Sequence, residues 1–319
     1  MTENKHYLLT GGTGFFGLSL LRHLKAVEGY RPRLTVISRD PERFCRRYPD
    51  LVGFADWIRG DVLDFKSLPN GQQFSHVIHA ATDSTFGPKI RPFERYEQIV
   101  TGTKNVLDLA VSSGTKRFLL TSSGGVYGPQ PHDMASIRED YCGMPDPSSP
   151  NNAYGVAKRT AEHLCALYQD KYGIETTVAR CFAFVGQDLP LNVHFAIGNF
   201  IRDALWRDEI TVSGDGTAVR SYLDQTDLAV WLLALLEKGK PGRAYNVGSD
   251  RPITITELAQ LVRDTISPGK KVNILTNLST TNMGRSVYVP NISRVREELG
   301  LDVSVTLEDA IGQTALAYK

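Results

Sequence analysis

The sequence has few of the features that mark secreted, metal-binding or membrane proteins. It contains only four cysteines among 319 residues, and they lack the spacing of a disulfide framework or a metal site. No apolar run approaches the roughly 20 residues needed to cross a bilayer. The polar start of the chain leads directly into a strand-like run, so we expect no signal peptide. These absences predict a cytoplasmic protein with reduced thiols, no membrane association and no metal.

An excess of charge of one sign is also missing. The 36 basic and 35 acidic side chains nearly cancel, which argues against a polyanion-binding surface or an acidic tail. Hydrophobic residues make up 41% of the chain, an ordinary share for a globular protein. The length fits one large domain or two smaller ones. We therefore expect a globular protein with no nucleic-acid partner.

A glycine-rich turn lies between the first predicted strand, residues 6–10, and a helical run over residues 18–27. Such a turn lets backbone approach a pyrophosphate, whose charge then lies at the positive N-terminus of the helix. The spacing Gly-x-x-Gly-x-x-Gly is looser than the usual dinucleotide fingerprint, and glycine turns also serve tight packing. The position at the first strand–helix junction favours dinucleotide binding. The predicted contacts are Gly11, Thr13, Gly14, Phe15, Phe16 and Gly17.

The end of the second predicted strand, residues 34–37, bears on the choice of dinucleotide. An acidic residue there accepts the ribose 2′-hydroxyl of NAD, whereas an arginine suits the 2′-phosphate of NADP. The strand is followed by Ser38 and Arg39, and Asp40 precedes Pro41 as in a helix N-cap. This pattern favours NADP, with Ser38 and Arg39 as contacts. The alternative is NAD, with Arg39 solvated and Asp40 on the ribose.

Further cofactor contacts are predicted after the third and fourth strands. Asp61 follows the strand-like residues 54–58, and it either hydrogen-bonds the adenine amine or caps the short helical turn that follows. Small residues after the fourth strand, residues 76–79, allow a cofactor to lie against the backbone. The predicted contacts in these two places are Asp61, Val62, Ala80, Ala81 and Thr82.

The helix predicted from Ala153 to Tyr172 carries Tyr154 and Lys158 on one face, because residues four apart are neighbours on a helix. A cation close to a phenol favours the phenolate and lowers the pKa of the tyrosine. The tyrosine then becomes a usable proton donor and acceptor. This pair alone is a weak indication of a catalytic site. The hydroxyl residues that follow the fifth strand, residues 117–120, strengthen it, because ligands of open α/β sheets bind at such strand ends.

Strands and helices alternate up to residue 181, which predicts a Rossmann-type doubly wound parallel sheet in an α/β fold. From Phe182 onward the alternation breaks into short strands, turns and helices. We therefore predict a smaller, discontinuous α/β substrate domain. The dinucleotide-binding domain is predicted to comprise residues 1–181 plus about 223–248, and the substrate domain about 182–222 plus 249–319.

The glycine turn, Ser123 and the Tyr154/Lys158 pair occur in the order found in the extended short-chain dehydrogenase/reductase family. The chain resembles that family over nearly its whole length, in particular its nucleotide-sugar epimerases, dehydratases and 4-ketoreductases. The resemblance implies NADP or NAD as cofactor and a nucleotide-diphosphate sugar as substrate. It also implies a homodimer built from the helices at 92–113 and 153–172, although their apolar faces equally suit packing on the sheet. It continues in Ser213-Gly214-Asp215-Gly216, Arg220-Ser221-Tyr222, Asp227-Leu228-Ala229, Tyr245-Asn246-Val247-Gly248 and Leu299-Gly300.

The resemblance also implies roles for individual residues. Tyr154 would be the acid/base, Lys158 would lower its pKa and hold the nicotinamide ribose, and Ser123 would hydrogen-bond the reacting sugar oxygen. Two arginines, at 220 and 285, would hold the diphosphate, for which a guanidinium is well shaped; Arg285 equally suits a solvated loop. The implied substrate contacts are Ser123, Gly124, Gly125, Asn192, Arg220 and Arg285.

Two departures from the family pattern narrow the reaction. The 4,6-dehydratases carry an Asp-Glu pair directly after the serine or threonine, and the related decarboxylases place a Glu in that segment. This chain has Gly124 and Gly125 instead, so removal of the C5 proton lacks its base. Ile99 stands where many relatives have asparagine, which weakens the case for a proton relay through that helix.

Two activities need only the serine, the tyrosine and the lysine. One is reduction of an NDP-4-keto-6-deoxyhexose by external NAD(P)H, and the other is C4 epimerisation of an NDP-hexose with tightly held NAD. The Ser38-Arg39 tip favours the reductase, because a reductase draws on the NADPH pool. A 4,6-dehydratase ranks lower. A cofactor-binding regulator without turnover ranks last, since such regulators usually lack the tyrosine–lysine pair.

Overall fold

The computed structural model describes residues 5–27, 32–82, 89–275 and 286–318. The chain folds into two compact units. The first consists of Met1–Val126, Met144–Cys181 and Ala229–Tyr245, and the second of Tyr127–Gly143, Phe182–Leu228 and Asn246–Lys319.

Strands and helices interleave along the chain. In chain order the strands are β1 (His6–Thr10), β2 (Arg33–Ser38), β3 (Asp56–Arg59), β4 (His76–His79), β5 (Arg117–Ser123), β6 (Glu175–Cys181), β7 (Phe184–Val185), β8 (Glu209–Ser213), β9 (Val219–Arg220), β10 (Leu223–Asp224), β11 (Arg243–Val247), β12 (Ile253–Thr254), β13 (Lys271–Leu275) and β14 (Val287–Tyr288). The helices are α1 (Phe15–Ala26), α2 (Pro41–Arg47), α3 (Pro92–Ser112), α4 (Ala153–Tyr172), α5 (Ala196–Trp206), α6 (Gln225–Lys238), α7 (Ile255–Ile266), α8 (Ser293–Leu299) and α9 (Leu307–Leu316).

The central sheet has seven strands in the order β11-β6-β5-β4-β1-β2-β3. The pairings from β3 to β6 are all parallel. The chain order reverses between β1 and β4, which pair directly, and ligands of doubly wound sheets bind outside the carboxyl ends of the strands at such a point. The prediction of a Rossmann-type sheet is therefore confirmed.

The apolar faces predicted for α3 and α4 form part of the core of the first unit. Ile99, Val106 and Ala110 from α3 are buried with Ala157 and Ala161 from α4. They lie in one cluster with sheet residues, because a helix with an apolar stripe must bury it against another element. The cluster includes Leu8, Val77, Phe118 and Leu120 from the strands. The sequence leaves two uses open for these apolar faces, a dimer interface or packing on the sheet. The residues named here pack on the sheet.

Strand β5 is longer than predicted. It runs to Ser123, so that Ser123 is its last residue, and a 3-10 turn covers Gly124–Tyr127. The extension is held by pairing with β6, in which Ser123 lies opposite Cys181. The register brings the hydroxyl to the carboxyl edge of the sheet.

The second unit is built on short strand pairs with helices. Strand β13 pairs in parallel with β8, β7 pairs with β10, and β9 lies between β12 and β14. Residues 127–143 belong to this unit, whereas the sequence-based boundaries assign them to the dinucleotide-binding domain. Two hydrogen bonds explain the difference: Tyr127 donates to Asn246 Oδ1 at 2.8 Å, and Ile137 N donates to Val289 O at 2.8 Å.

Asn246 organises this part of the second unit. It is completely buried, and its side-chain amide donates to Ile137 O at 2.8 Å and to Asn291 O at 3.0 Å. A buried amide with all its groups paired holds distant segments together without leaving an unpaired polar atom. The Tyr-Asn-Val-Gly motif thus has a structural role in this chain.

Candidate active site

The glycine turn between β1 and α1 is shaped largely by the protein itself. Gly11 has a φ of +75°, and a Cβ there would lie 2.3 Å from Ala80 O. A Cβ at Gly17 would lie 2.3 Å from the backbone of Gly12. These two glycines are therefore required by chain packing, because no side chain fits at those distances.

Gly14 differs from its neighbours. A Cβ there would meet only Gly11 O, at the ordinary contact distance of 3.5 Å, and the residue is exposed. Gly14 is the N-cap of α1, with no side-chain cap and no acidic residue in the first turn. The uncapped N–H groups and the positive end of the helix form a cradle for an anion. The predicted dinucleotide pyrophosphate would lie in this cradle, which Thr13, Phe15 and Phe16 flank.

The tip of β2 has the N-cap arrangement that the sequence predicts. Asp40 Oδ1 accepts a hydrogen bond from Arg43 N at 3.0 Å, and Pro41 is the first residue of α2. Ser38 Oγ accepts from Asp40 N at 3.2 Å, while Arg39 is exposed. The Asp40 carboxylate is thus engaged in capping, and the cofactor contacts predicted at Ser38 and Arg39 stay predictions.

Asp61 does not cap the helical turn that follows it. That role belongs to Asp64, whose carboxylate accepts from Lys66 N at 3.1 Å. Asp61 instead closes its own local turn, accepting from Leu63 N at 3.0 Å. The backbone of Val62 is fixed by Asn105, whose amide donates to Val62 O at 2.9 Å. The adenine role predicted for Asp61 stays a prediction.

Ser123, Tyr154 and Gly125 lie together at the end of β5. The Ser123 hydroxyl is within hydrogen-bonding reach of the Tyr154 phenol and accepts from Gly125 N at 3.1 Å. A Cβ at Gly125 would lie 3.4 Å from Ser123 Oγ and 3.7 Å from the Tyr154 ring. Position 125 therefore faces the hydroxyl pair directly, and any side chain there would touch both members.

Lys158 is buried one helical turn after Tyr154. Its ammonium donates to Thr82 Oγ1 at 2.9 Å and to Thr121 O at 2.7 Å. Burial lowers the pKa of Lys158 to about 8, because both of these acceptors are neutral and a low-dielectric site disfavours charge. The lysine thus links α4 to the ends of two central strands.

The pKa of Tyr154 departs from the sequence-based prediction. The prediction is a pKa lowered by Lys158, but the Lys158 ammonium lies 6.0 Å from the ring centroid and donates to Thr82 and Thr121. The pKa of Tyr154 is instead raised above its ordinary value, because burial of the phenol outweighs the opposing hydrogen bond from Ser123 and the charge of Arg95.

His79 and the residues after β4 complete this edge of the sheet. His79 is buried between the hydroxyls of Thr10, at 2.7 Å, and Thr103, at 3.3 Å. Burial and the charge of Lys158 lower its pKa to about 3, so the ring is neutral. The backbone of Ala80 closes against Gly11, which leaves Ala81 and Thr82 next to the glycine turn.

A half-buried ion pair braces the strands behind the hydroxyl pair. Arg180 Nη2 lies 2.7 Å from Glu162 Oε2, and Ser122 donates to Glu162 Oε1 at 2.6 Å. Glu162 lies one turn after Lys158 on α4. The pair therefore ties α4 to β5 and β6 at the residues adjacent to Ser123 and Cys181.

The remaining predicted substrate contacts belong to the second unit or lie outside the described residues. Asn192 is exposed in the loop before α5. Arg220 Nη1 donates to Val219 O at 2.8 Å and to Ser286 O at 3.1 Å. Arg285 lies outside the described residues. The roles of these three residues stay predictions.

The second unit also contains a groove of about 730 Å³. It lies between α5 and β8, and its lining mixes aromatic, charged and hydroxyl side chains, which include His194, Asn199, Phe200, Arg202, Asp203 and Thr211. The family resemblance also implies that residues 195–201 contact the nucleoside diphosphate, and Ala196, Asn199 and Phe200 of that segment line this groove; their role in binding stays a prediction.

The described residues bear on metal and membrane association as well. Within them, no three His, Cys, Asp or Glu side chains are grouped so that they could share a metal ion. No helix in the same ranges is both long and apolar enough to cross a bilayer.

Sequence reasoning missed Arg95. Its guanidinium carbon lies 4.2 Å from the Tyr154 ring centroid. No motif contains this residue, and helical periodicity gives the face of α3 that it occupies but not the α4 side chain that it meets. The contact depends on how α3 and α4 pack.

Comparisons with known proteins agree with this geometry. The sequence model of the "NAD dependent epimerase/dehydratase family" matches residues 7–248. UDP-glucuronic acid decarboxylase 1 of Arabidopsis thaliana is 31% identical over 310 residues, which cover 95% of this chain and 67% of the relative. The chain thus spans about two thirds of that relative's length.

Two solved structures share the fold. UDP-glucose 4-epimerase from Thermotoga maritima, crystallised with UDP-glucose, has a TM-score of 0.83 at 23% identity over 98% of both chains. RMD from Pseudomonas aeruginosa, complexed with NADPH, has a TM-score of 0.80 at 24% identity over 98% of this chain and 99% of that one. With the family match over residues 7–248 and the decarboxylase relative, the chain belongs to the NAD-dependent epimerase/dehydratase family, the extended short-chain dehydrogenase/reductases that act on nucleotide sugars.

Proposed function

We propose that this protein is an NADP(H)-preferring reductase that acts at C4 of an NDP-4-keto-6-deoxyhexose. The observation that carries the proposal is the Ser123–Tyr154 hydroxyl pair with glycine at its side. Two hydroxyls suffice to bind a carbonyl oxygen and protonate it. Because residue 125 is glycine, the site lacks the additional base that elimination of water or removal of the C5 proton needs.

Position 125 separates this chain from its decarboxylase relatives in chemistry. A Glu in this segment is expected of the decarboxylases, and a side chain at Gly125 would touch both Ser123 Oγ and the Tyr154 ring. The nearby Glu162 does not replace such a group, because it is paired with Arg180 and Ser122. We therefore infer oxidoreduction at C4 without loss of water or carbon dioxide.

The protonation state of Tyr154 favours reduction. Its raised pKa keeps the phenol protonated at neutral pH, which suits donation of a proton to a ketone oxygen. Ser123 would hydrogen-bond the same oxygen, and Lys158 would hold the nicotinamide ribose. When bound, the nicotinamide cofactor supplies the hydride.

The tip of β2 supports NADP(H). The Asp40 carboxylate caps α2, so the exposed Arg39 and the Ser38 hydroxyl are the groups that would meet a 2′-phosphate. The cradle at Gly14 would hold the pyrophosphate.

The test follows NADPH absorbance during incubation with UDP-, GDP-, dTDP- and CDP-linked 4-keto-6-deoxyhexoses. We expect oxidation with at least one of them. No oxidation with any of these sugars, together with C4 inversion of UDP-glucose or UDP-GlcNAc, would assign an epimerase instead. Release of carbon dioxide from UDP-glucuronic acid would assign a decarboxylase.

Replacement of Tyr154 by Phe tests the proposed proton donor. We expect Tyr154→Phe to lower kcat by roughly 10²–10⁴-fold, the usual contribution of general acid catalysis, with a nearly unchanged Kd for NADPH. Stopped-flow absorbance measures the first and fluorescence titration of NADPH the second. Unchanged turnover would contradict the assignment and would leave the regulator hypothesis standing.

A further inference from the structure

Helix α3 places a second cation at the candidate acid/base. The Arg95 guanidinium carbon lies 4.2 Å from the centroid of the Tyr154 ring, whereas the Lys158 ammonium lies 6.0 Å from it. A cation within about 6 Å of an aromatic centroid is attracted by the ring, and the guanidinium stacks well on such a face. Arg95 is thus the closer of the two cations to the ring.

The packing of two helices fixes this contact. Arg95 lies one turn before Ile99 on α3, and Ile99 is 1% exposed in the core that α3 and α4 share. Residues four apart lie on the same face of a helix, so Arg95 is directed toward α4, where Tyr154 packs against the same cluster. The contact is part of a packed helix interface and not of a solvent-exposed loop.

Lys158 is the more distant of the two cations, 6.0 Å from the ring centroid. Its ammonium is committed to Thr82 Oγ1 and Thr121 O, while proton donation by Tyr154 leaves a negative charge on the phenol. That charge spreads into the ring, where a cation stacked on the face interacts with it directly.

We propose that Arg95 is a positioning residue of the reaction centre, which holds the Tyr154 ring from the α3 side and stabilises the phenolate formed when the proton leaves. This inference rests on the proposed role of Tyr154 as proton donor. Helix α3 would then contribute to the reaction centre through Arg95. Many relatives have an asparagine on this helix at the position that Ile99 occupies in this chain.

Other groups also face Tyr154 or its lysine neighbour. Ser123 on β5 lowers the pKa of the Tyr154 phenol, and Cys181 on β6 raises it. On α4, Glu162 and Cys165 act on Lys158. Among the groups that act on the pKa of Tyr154, Arg95 carries a full positive charge that favours the phenolate. Its removal should therefore raise the pKa of Tyr154.

The decisive test needs no substrate. The protein is prepared with 3,5-difluorotyrosine at position 154 only, whose phenol is more acidic than that of tyrosine, and its ionisation is followed by ¹⁹F NMR. We expect Arg95→Met to raise the midpoint by about one pKa unit, a tenfold loss of phenolate at fixed pH. Arg95→Lys should restore most of the shift, because it keeps the charge.

Arg91→Met is the matched control. It makes the same change at the N-cap of α3, one turn before Arg95, where the side chain is 84% exposed and paired with Glu94, and we expect no shift. Arg95→Gln repeats the neutralisation in case Arg95→Met does not fold, as judged by circular dichroism. An unchanged midpoint in the neutral variants, or an equal shift in Arg91→Met, would overturn the proposal.

A kinetic measurement adds the functional consequence. If the protein reduces a 4-keto sugar, Arg95→Met should lower kcat about tenfold and leave KM for NADPH unchanged, with rescue by Arg95→Lys. Failure to find any sugar substrate would count against the proposed function, but the ¹⁹F midpoints would still decide the role of Arg95.

Discussion

At the scale of single residues, Lys158 shows that burying a charged functional group costs free energy. Its charge is buried, and its ammonium donates to neutral oxygens of Thr82 and Thr121. A buried ammonium without a bonded counter-ion is unfavourable, and its pKa of about 8 expresses that cost. The protein retains the group at a place where a cofactor ribose is expected.

This cost predicts how stability depends on pH. Between about 8 and the ordinary value of 10.5, the unfolded chain keeps a proton on Lys158 that the folded chain has lost, so the folded state gains stability as pH rises. Below about 8 both states are protonated and the penalty is constant. We expect the free energy of unfolding of the cofactor-free protein to increase from pH 8 to 10 relative to Lys158→Met.

Urea titrations of both proteins at pH 7, 8, 9 and 10 measure that difference, and contributions from other titrating groups cancel between the two proteins. A difference that is flat or falls over this range would show that Lys158 is not destabilised by its surroundings.

At the scale of elements, two glycines at the start of α1 are expected to serve different purposes, Gly14 cofactor binding and Gly17 folding. Gly14 has room for a side chain within the protein, whereas Gly17 has none. Serine is a better N-cap than glycine, so Gly14→Ser should leave the melting temperature equal or slightly higher. Its hydroxyl would compete for the N–H groups of the cradle, and we expect dinucleotide affinity to fall at least about tenfold.

Gly17→Ala is the contrasting variant. Its Cβ would overlap the Gly12 backbone, and we expect it to destabilise the fold by about 1–3 kcal/mol, as overpacking does. Calorimetry and NADPH titration distinguish the two variants. If Gly14→Ser bound the cofactor as tightly as the wild type, the cradle would not be the pyrophosphate site.

The end of α5 in the second unit depends on one lysine. The Lys270 ammonium donates to Ala204 O at 2.6 Å, to Arg207 O at 2.7 Å and to Asp203 O at 3.3 Å. A cation at this end of a helix satisfies its last carbonyl groups and opposes its dipole. We expect Lys270→Met to lower the stability of the second unit by about 1–2 kcal/mol.

Urea unfolding followed by Trp206 fluorescence, in a background in which Trp57 and Trp231 are replaced by Phe, measures this loss, because Trp206 is the last residue of α5. Lys271→Met is the control: the neighbouring lysine is 72% exposed and pairs only loosely with Glu209 at 3.4 Å. An equal effect of both substitutions would exclude a specific cap.

At the scale of the whole molecule, cofactor binding should stabilise the fold by mass action. A ligand at 100 times its Kd adds about 2.7 kcal/mol. We expect NADPH to raise the melting temperature more than NADH at equal concentration, and Arg39→Ser to reduce that difference. Arg46→Ser, in the last turn of α2, should leave it unchanged. A larger shift with NADH would reverse the cofactor preference.

Much of the architecture follows from local patterns. The alternation of strands and helices gives the parallel sheet because each apolar stripe requires a partner layer. The cap predicted at Asp40 is confirmed, with Asp40 accepting from Arg43 N. Helix α9 begins with the same local arrangement, in which Thr306 accepts from Asp309 N. Caps are predictable because donor and acceptor are separated by only three residues.

The domain boundaries could not be read in the same way. Residues 127–143 follow directly from β5, so sequence continuity assigns them to the first unit. Their partners, Asn246 and Val289, lie more than 100 residues away. Long-range hydrogen bonds of this kind leave no periodic signal in the chain.

The sequence by itself determined the fold class and the glycine turn, because each depends on spacing within one element or on the order of elements. The family resemblance added the Ser123–Tyr154–Lys158 set as a prediction. Only the tertiary structure decided what surrounds that set. Burial raises the pKa of Tyr154, Lys158 is drawn to Thr82 and Thr121, and Arg95 arrives from another helix. Electrostatic effects depend on distance and burial in three dimensions, and neither is encoded by position along the chain.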